Sequence, residues 1–388
     1  MNMGSLSRDV AIVGVGFSPF SRRGLDDPRK LAYLSCTGAL ADAGLLADDI
    51  DGMYHYRFED DIPTHDVARM LGMSDLAVWG DLSPSTGPSG LVSATEAIMA
   101  VASGAAETVL ALRCMTRSTG YAGAVSTDSA PVRGAEQYLA PYGWAGVLMG
   151  IGMRKRRRLA ELGGSEEDYG HVVLNARKWA ALNPQAVLRE QITMDDYMNG
   201  RMIADPLRVF DCDYPVNGSV AVIVTTAERA RDLQQTPVLV DAIAYSNGGN
   251  PDTRWIFGDD FLYGGAKLCS DRLWSRSQFT AADVDTAQLY DGFTYLTIAW
   301  AEALGLCGDG EFGDWIDSGK TIGPGGKMPM NTSGGHIAEG RVHGLQFLAE
   351  AVVQLRGQAG ERQVPGAKVA AVTNAGGPQN VAMVVNVA

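Results

Sequence analysis

With 388 residues, 46% of them apolar, the chain is long enough to bury a core in two packed units and too apolar to be disordered. A formal charge of −13 and a pI near 4.8 would repel a polyanion, so nucleic acid is excluded as an expected partner. The longest apolar stretch, around residues 143–153, falls short of the ~20 residues that cross a bilayer, and residues 1–9 lack the basic segment and apolar run of a secretion signal; no membrane span and a cytoplasmic location are expected.

Residues 10–14 are an apolar run ending in glycine, and residues 108–113 and 220–225 share that character, as strands buried on both faces of a sheet do. Alanine-rich patterns of helical period at 30–43 and 91–103 lie between them, and this alternation predicts an α/β fold. From 115 to 206 the pattern loosens into Gly, Ser, Tyr and Arg with short helices. That is too long for a connector inside a compact unit, so the excursion is expected to cover a site. Within it, Arg154-Lys155-Arg156-Arg157-Arg158 spreads around the axis at helical spacing. It reads as a solvated helix face, with contact to coenzyme A phosphates or an acidic partner as the competing reading.

An internal repeat is visible. Asp49-Ile50-Asp51 leads into an apolar strand, and so does Asp283-Val284-Asp285. Gly90 opens a small-residue helix that stops at Gly104 before the strand at 108–113; Gly344 opens a helix that stops at Gly357 before a strand at 369–374. The shared order of the two matches argues for duplication. The seam falls after Arg231, where Gln234-Gln235-Thr236-Pro237 breaks a helix and Val238 begins a strand. Two halves are expected, 1–232, carrying the excursion at about 115–206, and 233–388.

Several familiar motifs fail on inspection. Gly14-Val15-Gly16 follows a strand, but Pro19 stands where a dinucleotide-binding turn needs its third glycine. Gly87-Pro88-Ser89-Gly90 does not fit the nucleophile elbow of a serine hydrolase, because its last glycine comes one residue early. Cys36, Cys114, Cys212, Cys269 and Cys307 are scattered and form no C-x-x-C pair, so they read as small buried residues in a reducing compartment; no metal site is expected.

Three segments of the second half carry more: Leu289-Tyr290-Asp291-Gly292-Phe293, the run from Asn331 through Ser333-Gly334-Gly335-His336 to Gly340-Arg341-Val342-His343-Gly344, and Thr373-Asn374-Ala375-Gly376-Gly377-Pro378. Each sets glycines and polar side chains at a strand end or helix start, where backbone N–H groups can face a carbonyl or phosphate oxygen. The competing reading is that the glycines only make tight turns.

These segments, with residues 87–113 and the Ala-Val-Ile-Val-Thr-Thr-Ala-Glu-Arg-Ala run at 221–230, resemble the thiolase superfamily over nearly the whole chain. The likeness is to its sterol-carrier or lipid-transfer (SCP-x-like) branch, and within it most to the steroid side-chain-cleaving aldolases. The resemblance implies a duplicated, five-layered αβαβα thiolase fold with two mixed sheets, a homodimer, and coenzyme A thioester substrates with no further cofactor. It also implies a complex with a small OB-fold, zinc-ribbon protein of the DUF type, alone or as part of a hydratase.

The departures from the family pattern matter most. A thiolase has its nucleophilic cysteine where this chain has Gly87, a catalytic histidine in Gly-His-Pro where it has Gly340-Arg341-Val342, and a second cysteine where it has Ala375. Without a thiol there is no acyl-enzyme. Retained glycine loops could still stabilise charge on a thioester oxygen. The chemistry that remains is a retro-aldol cleavage, which needs a base for a β-hydroxyl proton, donors for the leaving enolate, and an acid.

Tyr290 aligns with the residue that thiolases aim at the thioester oxygen. To act as base, its phenol needs a neighbour such as Arg341 to lower its pKa from ~10. Tyr245, at a strand end, is the alternative base. His343 heads a helix and suits the acid, although a helix N-terminus works against a charged imidazole. Asp291, on the face opposite Tyr290 if the segment is extended, reads as an anchor. Gly87, Arg341, Ser333, Gly334, Gly335, Gly376 and Gly377 are the expected substrate contacts.

The expected function is cleavage of a bulky β-hydroxyacyl-CoA, a steroid by resemblance, into a ketone and a short acyl-CoA such as propionyl-CoA. The alternatives are a non-catalytic acyl-CoA-binding or lipid-transfer module on a degenerate thiolase scaffold, and a thiolase that uses a displaced cysteine such as Cys114.

Overall fold

The opening apolar run becomes β1 (Val10–Phe17), buried along its length up to a partly exposed Phe17. The strands that follow are β2 (Gly52–Tyr56), β3 (Val78–Leu82), β4 (Thr108–Thr116), β5 (Met202–Ala204), β6 (Leu207–Arg208), β7 (Asn217–Thr226), β8 (Val238–Asn247), β9 (Thr286–Gln288), β10 (Val369–Ala375) and β11 (Gln379–Asn386). The structure is a computed structural model that describes residues 9–22, 26–57, 62–83, 89–116, 137–144, 147–247, 261–377 and 379–387.

Apart from the β5–β6 hairpin, the strands form one nine-stranded mixed sheet in the order β3-β2-β4-β7-β1-β8-β11-β10-β9. The order reads the same outward from its middle: β1, β7, β4, β2 on one side match β8, β11, β10, β9 on the other. The two expected sheets are thus hydrogen-bonded edge to edge, through a short antiparallel contact that pairs Ala11 with Leu239 and Ile12 with Val238.

The sequence repeat is a repeat of bonding as well. Asp51 takes the backbone N–H groups of Glu107 and Thr108, both at 2.8 Å, and fastens the start of β4 beside β2. Asp285 does the same for β10 beside β9, accepting from Lys368 at 2.8 Å and Val369 at 3.0 Å. One turn earlier, Asp49 and Asp283 each bond back to the N–H three residues before, at 2.8 Å.

Helices fill the layers around the strands. α1 (Pro28–Ala43) starts where Asp27 caps Arg29 and proline fixes the first turn, and it stops at Gly44 in the left-handed conformation. It covers the outside of β1, β7 and β4, where it closes a separate apolar cluster. α2 (Leu91–Ser103) lies on the other face of β4, β2 and β7.

The excursion contributes α3 (Val147–Glu161) and α4 (Glu166–Ala181). Then come α5 (Ala266–Trp274), on the outside of β8 and β11, and α6 (Thr294–Ala303). α7 (Leu345–Leu355) packs against α2 and against β10 and β9; all its residues are buried, as a helix in a central layer must be. Outer helix, strands, the α2/α7 pair, strands and outer helix make the five layers. No helix among the described residues is long and apolar enough to cross a membrane.

Candidate active site

The central layer brings two helix starts together. The Gly90 N–H, at the head of α2, donates to the His343 carbonyl, at the head of α7, at 2.8 Å. A Cβ on Gly90 would stand 2.8 Å from that same oxygen, so the approach requires glycine. Gly87 and Pro88 lie outside the described residues. His343 has φ 61°, and its ring sits 5.5 Å from that of Tyr56.

Tyr290 follows β9 in a loop tied down on both sides. Asn331 accepts from the Leu289 N–H at 2.7 Å and donates to the Leu289 carbonyl at 2.8 Å, while Thr373 accepts from the Tyr290 N–H at 3.2 Å. The Tyr290 ring packs edge-on against His336, with centroids 5.2 Å apart, and folds back so that its hydroxyl crowds Gly292.

The segment before β7 threads between this loop and the next. The Asp213 N–H donates to the Gly292 carbonyl at 3.1 Å, and the Arg341 N–H donates to the Tyr214 carbonyl at 2.8 Å. These contacts bring the Asp213 carboxylate 3.0 Å from Arg341 Nε. The Arg341 guanidinium also lies near enough to the Tyr290 phenol to favour its ionised form.

The expected lowering of Tyr290 by Arg341 does not prevail. Burial pushes the phenol up to about 12, and the nearby guanidinium only partly opposes it. At neutral pH Tyr290 is therefore a proton donor. Asp291 accepts from the His336 N–H at 2.8 Å, and burial raises it to about 7. His336 is fully buried, and burial with Arg341 nearby keeps its imidazole neutral. Tyr245 is held elsewhere in the central layer: its hydroxyl bonds Thr95 on α2, and burial raises its phenol as well.

The glycine segments are used differently from expectation. The Ser333 hydroxyl donates to Glu339 at 2.8 Å, the Gly334 N–H to the Asn331 carbonyl at 2.8 Å, and the Gly335 N–H to Ser333 Oγ at 3.3 Å. Their donors are thus taken up inside the protein. A Cβ on Gly335 would stand 2.0 Å from Asp291, and one on Gly334 2.8 Å from Ala180 of α4. These residues shape the loop, and the excursion packs directly upon it.

Gly376 and Gly377 differ. The Gly376 carbonyl bonds Arg154, and the Gly377 carbonyl accepts from Asn380 at 3.0 Å. In a trans peptide the N–H lies opposite the carbonyl, so the Gly377 N–H faces away from Arg154.

Arg154 also corrects the reading of the basic run. Arg154, Lys155 and Arg158 are buried on one face of α3, and only Arg156 and Arg157 reach solvent. Arg154 donates to the Phe261 carbonyl at 2.8 Å and the Leu262 carbonyl at 3.0 Å and lies over the Tyr295 ring; Lys155 bonds Glu166 at 2.9 Å and Asp211 at 3.2 Å; Arg158 bonds Glu302. Buried carboxylates and carbonyls far along the chain supply the partners that helical spacing alone could not reveal.

No cysteine is poised as a nucleophile. Cys36, Cys114 and Cys269 are buried on α1, β4 and α5, and Cys307 follows α6. Cys212 precedes Asp213, but burial and the flanking Asp213 and Asp211 carboxylates hold its thiol protonated, and Sγ is turned to the Arg208 carbonyl at 3.7 Å. No group of three or more His, Cys, Asp or Glu among the described residues is placed to hold a metal. Two surface recesses, of about 420 Å³ beside Trp79 and about 590 Å³ beside Lys178, share no residue with the Tyr290 cluster.

Asp213 was not singled out in the sequence, His336 was noted only as part of the 331–344 run, and Arg154 only as part of the basic run. Asp213 and Arg154 find their partners across the fold, and His336 lies in a glycine turn. The signal available was a cluster of polar residues too apolar in its surroundings to be a surface loop.

This duplicated five-layer fold, with a central helix pair whose starts meet, is that of thiolases. A thiolase C-terminal domain-like family model matches residues 254–386. The chain is 38% identical over 364 residues to 17-hydroxy-3-oxo-4-pregnene-20-carboxyl-CoA lyase of Mycobacterium tuberculosis, covering 91% of this chain and 92% of that protein. It is 32% identical over 390 residues to an acetyl-CoA acetyltransferase of Methanothermobacter thermautotrophicus, covering 97% and 98%. The solved structure of the Ltp2-ChsH2(DUF35) aldolase superposes with a TM-score of 0.89 at 31% identity, over 98% of both chains. The chain belongs to the thiolase superfamily, in the branch of the steroid side-chain-cleaving aldolases. Its identity to an acyltransferase is nearly as high, so the site must separate the two chemistries.

Proposed function

We propose that the protein is a carbon–carbon lyase that cleaves a bulky β-hydroxyacyl-CoA, of steroid type, into a ketone and a short acyl-CoA such as propionyl-CoA. The observation that carries this is the state of the cysteines: Cys36, Cys114 and Cys269 are buried, and burial raises the thiols of Cys36, Cys212, Cys269 and Cys307, so acyl transfer through a thioester to the enzyme has no ready nucleophile. The lyase and aldolase relatives supply the substrate class.

The step balances without an external reagent. A base removes the β-hydroxyl proton, the oxygen lone pair forms the ketone, and the carbon–carbon pair passes to the α-carbon as a thioester enolate that an acid then protonates. His343, at the start of α7, takes the hydroxyl proton on its imidazole. Tyr290, protonated beside Arg341, delivers the proton to the enolate, and Arg341 stabilises the phenolate left behind. The heads of α2 and α7 and the Gly377 N–H offer positive ends to the enolate oxygen. Only protons and electron pairs shift within the substrate and these side chains, so the step calls for no external oxidant or reductant.

The chain works as a homodimer, supported by β3, which is an edge strand among the described residues and carries the exposed Trp79. It acts in the cytoplasm beside a DUF35-type partner like that named with the similar aldolase structure. The test is incubation of the protein, alone and co-expressed with such a partner, with a tertiary β-hydroxyacyl-CoA, followed by mass spectrometry. A ketone plus a shortened CoA ester is the expected result. Free acid plus CoA would mean hydrolysis, and binding without turnover would mean a transfer module; either overturns the proposal.

A further inference from the structure

Gln346 is a fully buried amide on the first turn of α7, and each of its polar atoms is engaged. Its Oε1 accepts from the Val342 N–H at 2.7 Å, and its Nε2 donates to the Gly340 carbonyl at 2.6 Å. These groups belong to the residues on either side of Arg341, so one side-chain amide grips the backbone before and after that arginine. The second Nε2 proton goes to Glu339 Oε2 at 3.1 Å. That carboxylate is itself fixed by the Ser333 hydroxyl at 2.8 Å and Asn183 at 3.2 Å. Turning the amide over would set its NH2 against the Val342 N–H and its oxygen against the Gly340 carbonyl, so Glu339 leaves only one orientation.

We propose that Gln346 is the positioning residue that aims Arg341 at the Tyr290 hydroxyl, with Glu339 locking the direction of its amide. The inference rests on the lyase reading above. The Gly340 φ of 123° and the left-handed His343 leave the 340–343 backbone little intrinsic preference for its native shape. The ion pair to Asp213 fixes the guanidinium end of Arg341. Gln346 fixes the backbone end, and a small tilt there would swing the guanidinium away from the phenol.

The test is a double-mutant cycle on the full chain, with any required partner present. Q346L should lower kcat by about 10- to 100-fold while KM changes by no more than about twofold, because the residue touches no substrate. R341M should lose more, and R341M with Q346L should be no slower than R341M alone. Multiplicative losses in the double variant would overturn the proposal, as would Q346L activity within about twofold of wild type.

Q346E covers the case in which Q346L does not fold. When protonated, its carboxyl still donates to the Gly340 carbonyl and accepts from the Val342 N–H. When ionised, it faces the Gly340 oxygen and the Glu339 carboxylate. Neutral His336, and Glu350 paired with Arg362 one turn along α7, are the other titratable neighbours. The kcat of Q346E should therefore fall as pH rises relative to wild type; a profile parallel to wild type overturns the role. If wild type itself yields no ketone, the lyase reading has failed, whereas an active wild type with an indifferent Q346L fails only this inference.

Discussion

Asp213 and Arg341 come from opposite halves of the sheet and meet with Oδ2 3.0 Å from Nε, beside the hydroxyl of Tyr290. Burial raises Asp213 above the ordinary carboxylate range, and Arg341 pulls it back. Removing the charge should free the guanidinium to rotate while leaving it buried and unbalanced. D213N should lower kcat by about 10- to 100-fold, with circular dichroism unchanged and a modest loss of thermal stability. A kcat at the wild-type level would show that Arg341 needs no such partner.

Tyr290 should behave as an acid across the accessible pH range. Its phenol is pushed up to about 12, so the wild-type kcat should not climb through pH 9–10 as a phenolate base would make it climb. Y290F should lose about 100-fold or more in kcat while still binding the CoA ester. For stability, the raised phenol is neutral in the fold above the pH at which the unfolded chain ionises. The fold therefore loses stability as pH rises from about 10 to about 12, and Y290F should lessen that alkaline loss.

Two buried carboxyls set a second pH window. Burial raises Asp291 and Glu339 to about 7, the latter with help from the nearby Glu350 carboxylate. With folded values above the unfolded ones, their stabilising contribution is full below about pH 4 and is lost as pH rises toward 7. Each can contribute a slope of up to ~1.4 kcal/mol per pH unit. The Tm of E339Q minus that of wild type should accordingly increase between pH 5 and pH 8. A flat difference would mean that Glu339 is ionised throughout.

Much of the frame was legible in the sequence because it is local or periodic. Apolar runs gave the buried strands, and Asp51 and Asp285 marked the repeat that the sheet order displays. Tyr290, Arg341 and His343 were singled out from residue type and motif. What escaped depends on partners distant in sequence. Helical spacing spread the cations of 154–158 around the axis and made them look solvated, whereas Glu166, Asp211 and Glu302 hold Lys155 and Arg158 in the interior and backbone carbonyls hold Arg154. Gly334 and Gly335 looked like ligand-facing turns because glycine signals a close approach without saying to what; here the approach is to Ala180 and Asp291. Gln346 was not singled out in the sequence, because its partners become visible only where the 340–342 turn folds onto it.

Alkylation separates a lyase from an acyltransferase most simply. Burial raises the thiols of Cys36, Cys269 and Cys307 to about 12, and Cys212 is also raised, so none is a ready thiolate at neutral pH. Iodoacetamide treatment, and separately C212S and C114S, should leave kcat within about twofold. Loss of activity in C114S or C212S with an intact fold would restore the displaced-cysteine thiolase.

The basic run of α3 offers a contrast within five residues. Arg154 bonds three backbone carbonyls in the interior, including that of Gly376, so R154M would leave buried acceptors unsatisfied. The expected cost is on the order of 3 kcal/mol, together with a fall in kcat as the Gly376–Gly377 peptide loses its orientation. Arg156 and Arg157 pair with Asp205 and Glu161 at the surface, where such pairs contribute little. R156E and R157E should change stability by no more than about 0.5 kcal/mol and leave KM for the CoA ester unchanged. A raised KM in R156E or R157E, measured at low and high salt, would instead place the CoA phosphates on this helix, with Arg154 retained as the anchor beneath them.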